Sequence, residues 1–131
     1  MSRRKTFEIP GVDHGAAPIP MAAQVGAFFH SSGIPPTDPA TGSVPEDGTR
    51  QVELVFGNAA ALLKVAGLGP ADVVYFDVYL ADDTLRGEVN KYWLEWYPQE
   101  HDRPARHVTV RPLPGKMLVQ LQVQAVADGP A

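Results

Sequence analysis

Polar and apolar residues alternate strictly over residues 119–126, Val-Gln-Leu-Gln-Val-Gln-Ala-Val. On a β-strand this period of two sends Gln120, Gln122 and Gln124 to one face and Val119, Leu121, Val123 and Ala125 to the other. A face that met only water would accept Lys, Glu or Thr as readily as glutamine, so the amide row points to a more particular surrounding. Residues 71–80 alternate in the same way, with Val74, Phe76, Val78 and Leu80 predicted on a covered face and Tyr75, Asp77 and Tyr79 on the other. A short strand is predicted over residues 27–32, between Gly26 and Gly33, with Phe29 and His30 on alternate faces. Residues 106–111 and 117–127 read as two further strands, and the tight Pro112-Leu113-Pro114-Gly115 connection favours their pairing antiparallel.

Elsewhere the period lengthens to that of a helix. From Pro45 onward Val52, Val55, Ala59, Leu62, Leu63 and Ala66 recur at three- and four-residue intervals, and Gly67 caps the end. Asp82 or Asp83 is placed to cap a second helix, along which Leu85, Val89, Tyr92, Trp93 and Trp96 keep helical spacing up to Pro98. The tryptophans are read as its buried stripe, with no ligand role. Residues 10–20 form a Gly- and Pro-rich arm, and the proline-rich stretch of residues 34–45 lacks the backbone donors a strand ladder needs, so both are loops. Strands, helix, strand, helix, strands in that order predict an α+β fold in which two helices cover one face of a mixed sheet. The opposite face, carrying Tyr75, Asp77, Tyr79 and the glutamines, suits contact with another subunit.

Composition narrows the chemistry. A length of 131 residues with 44% hydrophobic and 20% charged residues suits one compact domain over residues 1–131. There is no cysteine, which removes disulfides, thiolate metal sites and thiol nucleophiles. The net charge is −4 and the basic residues form no concentrated stretch beyond the first five positions, which argues against a nucleic-acid partner. No apolar run is long enough to span a bilayer, and Met1-Ser2-Arg3-Arg4-Lys5 leads into Thr6-Phe7-Glu8 rather than an apolar signal core, so a cytoplasmic protein without membrane contact is expected. His and carboxylate spacing offers no two-ligand helical motif, so neither metal nor cofactor is expected.

Several motifs, in one register, resemble the RidA/YjgF family of small trimeric imine deaminases along nearly the whole chain. They are Gly26 with Ala27-Phe28-Phe29-His30-Ser31-Ser32-Gly33, the loop Ser32-Gly33 with Pro36, Pro39, Thr41 and Gly42, the helix residues Asn58, Leu62 and Ala66-Gly67-Leu68, then Asp72-Val73-Val74, Val89-Asn90 with Trp93 and Tyr97, and Pro104-Ala105-Arg106. The resemblance implies a chorismate-mutase-like fold, a homotrimer, and ligand pockets in the clefts between subunits. It also implies hydrolysis of a small enamine or imine acid to a keto acid and ammonia.

By the same resemblance Arg106 clamps the substrate carboxylate, since a guanidinium offers two parallel donors to it. Gln122 stands where many members carry a glutamate that orients or activates water. An amide can hold water but takes up no proton near neutral pH, so general-base catalysis by Gln122 is excluded. Gly33 is expected to offer backbone contacts to the substrate, and Asn90 to line the pocket. Ile19 stands in place of the family's N-terminal tyrosine; His14, His30 and His107 are the available neutral bases, an isolated histidine being more often structural, and His14, on the arm that replaces that tyrosine, is the first to test. The chain is one residue shorter between Arg106 and Leu113, which leaves the strand register there open. Without the resemblance, Arg106 reads first as an ion-pair partner and Gln122 as a rung in a polar ladder. The rival to a deaminase is a non-catalytic sensor or binding module that captures a small carboxylate; ribonuclease activity, a third possibility, sits poorly with an acidic chain.

Overall fold

A computed structural model describes residues 2–128. Six strands form one mixed sheet in the order β1-β2-β3-β6-β4-β5: β1 Arg4–Phe7, β2 Ala22–Val25, β3 Phe28–Ser31, β4 Val73–Leu80, β5 Ala105–Val110 and β6 Val119–Val126. Helices α1 (Gly48–Val65) and α2 (Arg86–Trp96) pack on one face. All neighbouring strands are antiparallel except β4 and β5, which α2 joins as a parallel crossover. Thus the predicted α+β layer is the observed one.

The core explains the arrangement. Val52, Val55, Phe56, Ala59, Leu62 and Leu63 of α1 are buried against Phe76, Val78 and Leu80 of β4 and Val119, Leu121 and Val123 of β6. Phe76 lies at the centre of an aromatic cluster, 5.3 Å from Trp93 edge-on and 6.3 Å from Phe56. Asp47 caps α1 by accepting from the Thr49 amide, and Gly67, at φ +75°, follows its last turn as expected. Ala66 is the C-cap, partly buried against the core.

Four expectations are corrected. The strands at 105–110 and 119–126 do not pair: β4 lies between them, parallel to β5 and antiparallel to β6. β4 is apolar enough to take the interior position, and the connection from β5 to β6 passes around its end. There the Arg111 amide donates to Leu80 O and the Ala81 amide to Leu118 O. Val74 is 51% exposed, because a register shift between Val73 and Tyr75 turns Val73 inward in its place. That strand begins at Val73, after a 3₁₀ turn over Pro70–Asp72. Asp82 caps a second such turn, Asp83–Leu85, instead of α2, while Asp83 pairs with Arg86 at 2.7 Å. Two strands, β1 and β2, were not expected. They are only four residues each, and β2 enters β3 through a two-residue turn whose first position, Gly26, has φ +59°, the place a type II′ hairpin reserves for glycine.

The proline-rich loop after β3 is held from beneath. Buried Asn58 on α1 donates through Nδ2 to Pro35 O at 2.8 Å and Thr37 O at 2.9 Å. Asn58→Ala leaves two buried carbonyls unsatisfied and is expected to lower unfolding free energy by about 2 to 3 kcal/mol in urea titration, against a surface change such as Lys64→Ala that stays within about 0.5 kcal/mol.

Candidate functional site

Alternation along β4 sorts the candidate residues. Tyr75, Asp77 and Tyr79 stand opposite Gln124, Gln122 and Gln120 of β6, all half-buried on the face without helices. The expected polar face therefore exists, in matching phase. Asp77 is also opposite His107 of β5, so His107, Asp77 and Gln122 form one rung. The Tyr79 hydroxyl lies 3.0 Å from Asp77 Oδ2 and 3.3 Å from Gln122 Oε1. Burial, and then the hydrogen bond to Asp77, raise the Tyr79 pKa above the ordinary phenol value. Asp77 Oδ1 is buried with no partner.

At one end of this face the N-terminal arm meets the loop after β3. His14 Nε2 lies 2.6 Å from Gly33 O; a carbonyl only accepts, so Nε2 carries the proton and donates. His14 Nδ1 is buried without a partner. Gly33 packs against Gln120 so closely that a Cβ there would stand 2.6 Å from Gln120 Nε2. Ser32 fixes the turn, its hydroxyl donating to Pro20 O and its amide to Met21 O, each at 2.8 Å. Ile19 is exposed.

Arg106 stands on the other face. It pairs with Phe76, whose side chain is in the helix-covered core, and its guanidinium lies over the Trp93 ring of α2 at 4.9 Å. Arg106 Nη1 is buried and unpartnered, and burial, reinforced by the like charge of Arg86, lowers the Arg106 pKa. Asn90 is half-buried on α2, three residues before Trp93 and four after Arg86, and so shares their helix face. The structure brings together His14 with Gly33, and Gln122 with Tyr79 and Asp77; it does not bring Arg106 to Gln122 within one chain.

Four contributors escaped the sequence reading. Trp93 supports Arg106 as well as the core, Gln120 touches Gly33 rather than serving only as a rung, and Asp77 and Tyr79 close on Gln122. The alternation on β4 hinted at the last pair, but only the pairing of β4 with β6 places them. A cavity of about 820 Å³ near the start of β4 is lined by Pro70, Trp96, Tyr97, Asp102, Arg103 and Ala105 among others, and by neither Arg106 nor Gln122. It is a broad surface hollow whose lining includes none of the unpartnered buried polar atoms described above, so the chemistry is assigned to the sheet rather than to this hollow. Among the described residues, no group of three or more His, Asp or Glu could hold a metal ion.

Tyr97 borders that hollow, donating its hydroxyl to Pro70 O at 2.8 Å, and burial raises its pKa well above the ordinary 10.0. A group whose pKa is higher folded than unfolded stabilises the fold below the unfolded value and ceases to do so as pH rises through the folded one. Melting temperature is thus expected to fall from about pH 10 upward, and Tyr97→Phe to flatten that alkaline decline in a thermal-melt series.

The sequence model of the endoribonuclease L-PSP family matches residues 15–127. The chain is 31% identical over 116 residues to a RutC family protein of Aquifex aeolicus, covering 84% of this chain and 93% of that one. It is 30% identical over 125 residues to the 2-iminobutanoate/2-iminopropanoate deaminase of Salmonella typhimurium, covering 93% and 97%. Among solved structures, the YjgF gene product of E. coli superposes with a TM-score of 0.82 at 28% identity, covering 95% of this chain and 99% of that one. A Rid-family protein of Yersinia pestis superposes with a TM-score of 0.84 at 25% identity, again over 95% and 99%.

Proposed function

This chain belongs to the endoribonuclease L-PSP family, the RidA/YjgF group, and from that premise we propose that it hydrolyses small enamine or imine acids to keto acids and ammonia. The observation that carries the reading is the half-buried Arg106 guanidinium, with Nη1 unpartnered and Trp93 beneath it. A desolvated cation without a carboxylate is costly until an anion arrives, and a carboxylate matches its paired donors. With that end of the substrate fixed, the adjacent C=N carbon is held for attack by water, and positioning supplies most of the rate.

Arg106 and Gln122 lie on opposite faces of one sheet, so the reading requires a cleft built from two copies. Arg106, with Asn90 beside Trp93, comes from one chain, and Gly33, His14 and Gln122 come from its neighbour. In a homotrimer each of three equivalent seams then holds one such cleft, and the polar sheet face is its inner wall. Gln122 orients water through its amide oxygen, and Gly33 offers its backbone to the substrate. A specific observation favours a second reading, a non-catalytic module that binds a small carboxylate: residue 122 is an amide and cannot take up a proton.

Imino acids generated in situ by an amino-acid oxidase decide between them. The deaminase reading predicts faster ammonia release with the purified protein, and a loss of about 10² or more in kcat/KM for Arg106→Ala, with partial recovery in Arg106→Lys. No acceleration, beside an active glutamate-bearing relative, excludes it; affinity for a keto acid weakened by Arg106→Ala then establishes the binding module. Light scattering is expected to give a trimer.

A further inference from the structure

The hydrolysis proposed above asks for a group that accepts the proton water gives up, and Gln122 is not one. We propose that Asp77 is that acceptor, reached through the Tyr79 hydroxyl, so that β4 supplies the carboxylate that β6 lacks at position 122. Resting on the deaminase reading, the proposal stands on geometry. Asp77 is directly opposite Gln122 across the β4–β6 ladder. Tyr79 bridges them, 3.0 Å from Asp77 Oδ2 and 3.3 Å from Gln122 Oε1. A phenol has one proton, and a carboxylate is a stronger acceptor than the Gln122 amide oxygen, so Tyr79 donates to Asp77 and keeps a lone pair of its own oxygen for a water that donates both to it and to Gln122 Oε1. A water held by the Gln122 amide then lies within reach of the Tyr79 oxygen. Asp77 Oδ1 has no partner, so the carboxylate is not held by competing donors that would fix it in a purely structural role.

The step balances. The water oxygen bonds to the imine carbon and the C=N π pair moves to nitrogen. The proton leaving water passes to the Tyr79 oxygen as the Tyr79 proton passes to Asp77 Oδ2. Reversal of the relay returns that proton to nitrogen, giving the carbinolamine; a second pass carries the carbinol O–H proton through Tyr79 and back to the nitrogen, so that the C–N bond breaks, ammonia departs and the carbinol oxygen becomes the carbonyl of the keto acid. Nothing is oxidised or reduced, and water is the only co-reactant. Tyr79 touches the water; Asp77 acts through Tyr79. Other titratable or charged groups facing Asp77 and Tyr79 are Tyr75 on the same strand, His107 opposite on β5 and Arg111 just beyond it.

The test compares kcat, KM and pH profiles on in situ imino acid for wild type, Asp77→Asn, Tyr79→Phe, and each of these combined with Gln122→Glu. The relay predicts that Asp77→Asn and Tyr79→Phe each lower kcat about tenfold or more with KM within about twofold, and that Asp77→Asn also loses the acidic limb of the kcat profile. Gln122→Glu, which brings a carboxylate directly to the water, is expected to restore both. A folded Asp77→Asn protein with wild-type kcat and pH profile, while Arg106→Ala is inactive, overturns the relay and leaves the deaminase standing. Lowered kcat with an unchanged profile and no rescue by Gln122→Glu marks a structural role and also overturns it. Should Asp77→Asn fail to fold, Tyr79→Phe decides by loss of kcat and rescue. A wild-type protein that releases no ammonia removes the deaminase reading, and the relay with it.

Discussion

The position of β4 between β5 and β6 governs this molecule. Because successive side chains of a strand alternate, fixing Phe76 in the core fixes Asp77 and Tyr79 on the open face, and the two ladders carry that division to both neighbours. A slip of one residue in either ladder would carry Arg106 off the Trp93 ring or Gln122 away from Tyr79. Apolar burial on one side of the sheet therefore sets the polar geometry on the other. The site owes its placement to the core.

The same division separates the charge chemistry from the proton chemistry. On the helix side the Arg106 guanidinium rests on an aromatic face beside a second cation, Arg86, and has no anion. On the open side an amide, a phenol and a carboxylate hold one another with no cation bonded to them. Each cluster keeps one buried atom without a partner, Arg106 Nη1 on one side and Asp77 Oδ1 on the other. The proposed joining of the two across a seam between copies would resolve both. His14 ties the N-terminal arm to Gly33 at one end of the open face.

Much of this was legible in the residues. Period-two and helical patterns located β3, β4, β6 and both helices, because each buries a regular apolar stripe whose spacing is independent of its neighbours. The polar face with Asp77, Tyr79 and the glutamines followed from the same patterns. Strand pairing was not legible: the short Pro112–Gly115 link suggested a hairpin, whereas the apolar character of β4 places it between the two strands that link joins. The β-bulge at Val74 was hidden because Val73 and Val74 have identical chemistry and only the register chooses between them. β1 and β2, four residues each, are too short for a period of two to announce them. Arg106, Gln122, Gly33, Asn90 and His14 stood out by resemblance; Asp77 did not, because its value lies in the residue opposite it.

The central claim is that one cleft draws Arg106 from one chain and Gln122 from another. Mixing Arg106→Ala and Gln122→Leu chains, unfolded together and reassembled, tests it directly. Two-chain clefts predict that each variant alone is nearly inactive while the mixture regains turnover, since about a quarter of the seams then unite an intact Arg106 with an intact Gln122. If the mixture is no more active than the average of its parents, the two residues do not meet across a seam and the account is wrong.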